Sequence, residues 1–508
     1  MSIYSYHIFY FPFEWKRKNR KDETFSEQIK LEGIELKPGS CWERVNREPD
    51  TEGEKEDFFN ERQYYFPFVH PIMYDMKDEE SNLMHHYERK EPKMGGVEYR
   101  IKIKNREEPY RLMLDSMNLN LYSTGVGVLT LFLANSATRE KEDILNINQF
   151  GRRIMLPFYG DKDKKEGRQT AESLCITGLE GEGTDYTETF DDITPSKNAT
   201  WKPAKFITRL ISDLSDDIDT NNIHPIIDDR MLVNCWYPNN ELAARVKDDK
   251  DFIMGDFWYR YIFVDGSSEE ETCQNDEMKE KLLKESTYQR WQKYGTLYGL
   301  TRYSLMALTD EGEYSCNVLA KHMRTIYSRM FELVIVQRAS ILRFSGEVTR
   351  VSKLRNEEDH ELEDLAERIK SLYKEYISFA NQIYLTYVTA QDQGIEMYDM
   401  LMRQFTSADK VKDLDNEIDE LYRFITLLIE KKQNEIEKEQ KEIEQEQSNT
   451  GRYLNKIAII FLPATILVGI FGISENWSCW TTIGFVLVIF ITCVCYCKWE
   501  CILNWIKK

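Results

Sequence analysis

Leu454-Asn-Lys-Ile-Ala-Ile-Ile-Phe-Leu-Pro-Ala-Thr-Ile-Leu-Val-Gly-Ile-Phe-Gly-Ile473 carries a single charge, Lys456, close to its start. A helix of about twenty residues rises roughly 30 Å, the thickness of a hydrocarbon core. A second apolar run, Trp480 to Tyr496, follows the short link Ser474-Glu-Asn-Trp-Ser-Cys479. The pattern predicts a two-helix transmembrane hairpin, with helices over 454–473 and 480–497 and an external loop at 474–479. Its orientation comes from the basic flanks. Arg452 and Lys456 lie at the start of the first run and Lys498, Lys507 and Lys508 follow the second, whereas the link has no basic residue. The positive-inside rule then places both termini in the cytoplasm of a multi-pass protein of the cell (inner) membrane, with 498–508 as a cytoplasmic tail.

Upstream of this hairpin the sequence is helical and charged. Leu414, Ile418, Leu421, Ile425 and Leu428 step by four and three, the spacing of a coiled-coil seam, so 407–453 reads as a stalk helix. Past Ile429 only Ile436 and Ile443 interrupt a run rich in glutamate. For a single helix that is a solvated face; in a symmetric ring it becomes an electronegative funnel. Between 311 and 406 the apolar residues recur at helical spacing, and two long helices are expected. One runs from Cys316 through Leu319, Met323, Ile326, Met330 and Leu333 to about Gly346, and the other from Leu362 to about Phe405.

The first 310 residues alternate differently. Tyr4 to Phe13 reads as a buried first strand, and Arg111–Tyr122 and Val128–Leu133 flank Ser-Thr-Gly-Val-Gly as a hairpin. Met231–Tyr237, Phe257–Val264 and Tyr303–Leu308 are strand-like, Phe206 to Leu214 a short amphipathic helix, and Tyr159 to Thr200 a long surface insertion or partly disordered loop. The fold class expected is therefore an α+β cytoplasmic sensor domain over 1–310, followed by long helices, a coiled-coil-like stalk and the transmembrane hairpin. A net charge of −20 disfavours direct nucleic acid binding. The ten cysteines show neither zinc spacing nor a disulfide framework.

Phe461-x-Pro463-x-Thr465-x-x-x-Gly469-Ile470-Phe471-Gly472 resembles the first transmembrane helix of CorA-type divalent-cation channels. That resemblance implies a homopentamer with one central pore and two antiparallel helices beside each stalk. It implies Leu454 and Leu462 as apolar constrictions, Thr465 as a hydroxyl ring, and Gly472, Ile473 and Ser474 at the pore mouth. The family ends this helix in Gly-Met-Asn; here Gly472-Ile473-Ser474 stands instead, so magnesium selectivity does not carry over. Gln337–Phe344, Val388–Tyr398 and Tyr6–Phe13 are similar to the CorA-like membrane effectors associated with type III CRISPR systems. The similarity implies an antiviral channel opened by a nucleotide second messenger bound to the cytoplasmic domain.

Walker, H-E-x-x-H, G-x-S-x-G and dinucleotide-binding motifs are missing, so the sequence argues for no enzyme and no metal site. Adjacent Arg152 and Arg153, following Gly151, form the one basic pair suited to hold a phosphate bidentately, and are the expected ligand-binding residues. Their bland alternative is a pair of exposed arginines bridging surface acids. Asp228-Asp229-Arg230 reads as a turn with a local ion pair, and His85-His86 as part of a charged loop. The expected partners are further copies of the chain, membrane lipid and a nucleotide messenger, with a divalent cation as permeant ion. Two other functions remain open, a housekeeping magnesium or divalent metal ion transporter and a membrane-anchored oligomeric scaffold.

Overall fold

The computed structural model describes residues 3–18, 23–45, 52–75, 83–89, 96–104, 106–155, 170–179, 186–190, 203–266, 272–353, 362–405 and 408–471, with scattered positions between 480 and 498. By their contacts they form two units, 1–423 and 424–508. The first is built on one mixed sheet. In chain order its strands are β1 (Ser5–Glu14), β2 (Trp42–Arg44), β3 (Met84–Arg89), β4 (Glu98–Lys102), β5 (Tyr110–Tyr122) and β6 (Val126–Asn135). There follow β7 (Ser173–Thr177), β8 (Tyr186–Thr189), β9 (His224–Pro225), β10 (Leu232–Pro238), β11 (Thr287–Tyr288), β12 (Leu297–Thr301) and β13 (Ser304–Thr309). The main path runs β11-β12-β13-β10-β1-β6-β5-β4-β7-β8. The β10–β13 pair is parallel, and its register sets Val233 beside Ser304.

Strand β1 sits in the middle because nearly all of its side chains are apolar on both faces, and all but Glu14 are buried. Pro12 has no N–H to donate. It falls between the β10 pairing, which stops at Tyr10, and the β9 pairing, which begins at Phe13. On one face Phe9, Phe11 and Phe13 join the main core with Ile144, Phe206 and Trp258. On the other, Tyr10 meets the long helix Ile326–Lys353, edge-on to Phe331 at 5.4 Å between centroids and within 2.6 Å of the Ser328 hydroxyl. Helices therefore cover both faces. The β5–β6 hairpin forms as expected, turning at Gly125, whose φ of +77° favours glycine.

Other expectations need correcting. Phe257–Val264 is not a strand; Asp256–Ile262 is a helix that buries Trp258, Tyr261 and Ile262, at i, i+3 and i+4. His85 and His86 lie in β3, buried, and not in a loop. The insertion at 159–200 contributes β7 and β8 to the sheet, and much of the rest of it lies outside the described residues. The second long helix is two, Leu362–Gln382 and Asp392–Phe405. Buried Gln337 donates its amide to the carbonyls of Ile383 and Leu385 and to Tyr398 Oη, which fixes the chain where the helix stops.

The helix Ala408–Phe471 runs uninterrupted through the expected stalk and into the run expected as the first span. Among the described residues no helix is long and apolar enough to cross a membrane. This overturns the transmembrane hairpin, and with it the fold class that contained it, the multi-pass placement in the inner membrane and the cytoplasmic termini derived from it. Leu454, Leu462 and Thr465 lie on the helix as exposed residues, Thr465 donating its hydroxyl to the Phe461 carbonyl at 2.6 Å. Gly472, Ile473 and Ser474 lie outside the described residues. The pore expected of these six presupposes the hairpin and loses its support.

Candidate functional site

Arg152 and Arg153 follow the helix Lys141–Gly151, whose inner side buries Ile144, Leu145 and Ile147. Gly151 is needed there, since a Cβ would come within 2.8 Å of Ile101 Cδ1 and 3.0 Å of the Phe9 ring. Its carbonyl accepts from Tyr99 Oη at 2.7 Å, and the Arg152 carbonyl accepts from Met231 N at 2.9 Å. The end of the helix is thereby tied to the start of β10. The backbone of the pair is held in place.

The side chains point inward, contrary to the alternative of exposed arginines: Arg152 is 2% exposed and Arg153 4%. Arg152 Nη2 has one long bond, 3.5 Å to the Val264 carbonyl, and its Nε has no hydrogen-bond partner. Val264 has a φ of +54°, the one non-glycine with positive φ among the described residues, and a strained choice for a β-branched side chain. The Arg152 guanidinium lies 5.5 Å from the Tyr303 ring centre, and those of Arg230 and Arg302 lie 5.2 and 5.7 Å from the same ring. Three separated segments thus bring cations around one tyrosine.

Arg230 is matched. Its Nε and Nη2 each donate to Asp228 at 2.8 Å, the local ion pair expected of that turn, and Asp229 stands 3.3 Å away. Burial works against ionised Asp228, but the bonds from Arg230 and Asp229 and the charges of Arg230 and Arg152 hold its carboxyl well below the usual range. Asp229 moves the other way, raised by burial and by its hydrogen bond and like charge with Asp228. Burial pushes Arg152 down to about 9, helped by the charges of Arg230 and Arg153. The same causes, burial first and then Arg230, push Arg153 down to about 10. A buried guanidinium with that little compensation is a place where an anion would be welcome.

A separate cleft of about 860 Å³ lies between the sheet and the helices Glu52–Tyr64 and Ile326–Lys353. The chain is irregular around it in three places. The β5–β6 register shifts between Leu114 and Ser116, Ser315–Leu319 is a π-helical turn, and the helix breaks at Thr325, with φ −116° and ψ −88°. Its charges are already paired within the protein: Lys321 with Asp57, Arg324 with Asp115, and Arg329 with Glu61. Counting Glu332, four carboxylates face three cations there, which disfavours a phosphate. Among the described residues no group of three or more His, Cys, Asp or Glu is placed to hold a metal ion.

Sequence reasoning picked out Arg152 and Arg153 but missed Val264 and Tyr303 as their surroundings, and read Arg230 only as a turn residue. No local motif marks this convergence, because the partners come from positions about 80, 110 and 150 residues further on. No protein-family model matches the chain, and no curated protein matches it.

Proposed function

We propose that residues 1–423 act as a receptor for a phosphate-bearing ligand of the nucleotide-messenger type, with Arg152 and Arg153 as the anion-holding pair. The observation that carries this reading is the buried Arg152 guanidinium, with one weak acceptor and an Nε that has none. A phosphate oxygen is a far better acceptor for it than a carbonyl at 3.5 Å. The resemblance of Gln337–Phe344 and Val388–Tyr398 to CRISPR-associated effectors supports a nucleotide as the anion's carrier. In this reading the chain recognises and transmits; it performs no bond-breaking chemistry. Leu414 and Ile418 are already buried within the chain, and the apolar residues that the long helix leaves exposed one heptad apart, Ile436 and Ile443, support self-assembly through it as the means of transmission.

Each charge-assisted bond to phosphate contributes about 1.5 to 3 kcal/mol. Loss of two such bonds weakens binding by at least about 100-fold. Calorimetric titration of the full chain with mononucleotides, cyclic and linear oligonucleotides, nucleosides and inorganic phosphate tests the proposal. Binding by a phosphate-bearing nucleotide, lost in Arg152→Met/Arg153→Met while the fold is kept, is the expected result. A nucleotide bound equally well by parent and double variant would make these arginines structural.

A further inference from the structure

A second cavity, of about 510 Å³, lies away from the arginine cluster and is walled by Trp291, Tyr294 and Tyr314. These side chains are 36%, 70% and 66% exposed, so three large aromatic groups stand open to solvent around one hollow. Trp291 and Tyr294 form a corner, with ring centroids 6.1 Å apart and planes inclined at 56°. The indole is fixed, since its Nε1 donates to Gln393 Oε1 at 2.9 Å. Gly295, with a φ of +78°, turns the chain just after Tyr294, where a Cβ would come within 2.8 Å of the Ala243 carbonyl. Asp310 and Glu313 line the cavity with Lys247, and the Arg290 guanidinium, paired with Glu396, lies 5.7 Å from the Trp291 ring centre.

We infer that this cavity is an organic-cation site, taking a quaternary or methylated ammonium group against the faces of Trp291, Tyr294 and Tyr314. Ring faces carry negative charge density, and a soft cation gains there without the hydrogen bonds that an inorganic ion demands. The excess of acid over base in the wall favours a positive ligand and opposes a phosphate. The volume suits a small molecule. Ser315 and Leu319, the two ends of the π-helical turn, also line the cavity, so an occupant touches the segment that leads into the helix Ile326–Lys353.

Choline and its uncharged isostere 3,3-dimethyl-1-butanol separate charge from shape, and both are titrated against the full chain by calorimetry or saturation-transfer NMR. The expected result is saturable choline binding at least tenfold tighter than that of the isostere, equivalent to about 1.4 kcal/mol. Tyr294→Ala and Tyr314→Ala should each weaken choline binding severalfold without moving the unfolding temperature, because both side chains are exposed. Glu313→Gln should weaken choline and leave the isostere unchanged. Equal binding of the two probes, choline binding indifferent to both tyrosine variants, or no saturable choline binding would each overturn the assignment.

Discussion

Arg343 and Arg152 are both deeply buried arginines, 3% and 2% exposed, and the protein treats them differently. Arg343 is matched by charge: it pairs with buried Glu347 and stands 3.3 Å from Glu14, which Arg350 approaches from outside. Its Nε also lacks a hydrogen-bond partner, yet two carboxylates balance the charge. Arg152 has a carbonyl at 3.5 Å, an aromatic face and two neighbouring guanidiniums, and the one carboxylate whose charge favours it, Asp228, is bonded to Arg230 instead. A buried cation that brings its own carboxylates is part of the architecture. One left short of them is an architectural cost with a use elsewhere, and an incoming anion supplies that use.

Four changes sharpen or break this contrast. The largest effect is expected for Arg343→Ala, which leaves Glu347 buried beside Arg350 alone and should cost about 3 to 5 kcal/mol in chemical denaturation. Next is acid sensitivity through His7, a buried group that stays neutral instead of pairing. Burial pushes it from 6.5 down to about 4, and Ser5 and Asn148 hold its ring nitrogens. The unfolded chain takes up this proton before the native one does. Its contribution is therefore complete above pH 6.5 and is lost as the pH falls towards 4, by up to about 1.4 kcal/mol per pH unit. Stability against pH for His7→Gln should be correspondingly flatter over that window.

Arg152→Met should fall on the other side of the contrast. Replacing a poorly compensated buried charge by an apolar side chain of similar length should leave stability unchanged or raise it by about 1 kcal/mol. A loss as large as that of Arg343→Ala would show that Arg152 is architectural too. The smallest effect concerns Asp229. Its raised pKa keeps it partly protonated at mildly acidic pH, and ionisation on the way to neutral adds a negative charge beside the arginines. Anion affinity should therefore fall as the pH rises, by less than about tenfold for one partly screened charge, and Asp229→Asn should remove the dependence.

The elements that could be read from sequence were those whose signal is local. Strand β1 and the β5–β6 hairpin follow from apolar content, alternation and a turn glycine, and the helix Lys205–Ser212 from its spacing. Asp256–Ile262 misled because its run is short and aromatic, a composition common to strands; the spacing of Trp258, Tyr261 and Ile262 was the signal that mattered. The break before Asp392 depends on the Gln337 side chain, far away in sequence. The membrane reading took apolar runs as sufficient, and among the described residues no helix is long and apolar enough to cross a membrane. Of the candidate site, the arginine pair was legible. Its burial, and the approach of Val264, Arg230 and Tyr303, are tertiary facts.

Thermal unfolding with and without nucleotide tests the anion-receptor claim most directly, because a ligand that binds only the native state stabilises it by about 2.7 kcal/mol at 100 times its dissociation constant. The expected result is a nucleotide-dependent rise in the unfolding temperature of the parent protein, with no rise for Arg152→Met at equal or higher intrinsic stability. A nucleotide that stabilises Arg152→Met as much as the parent, or no stabilisation of the parent by any phosphate-bearing nucleotide tested, would contradict it.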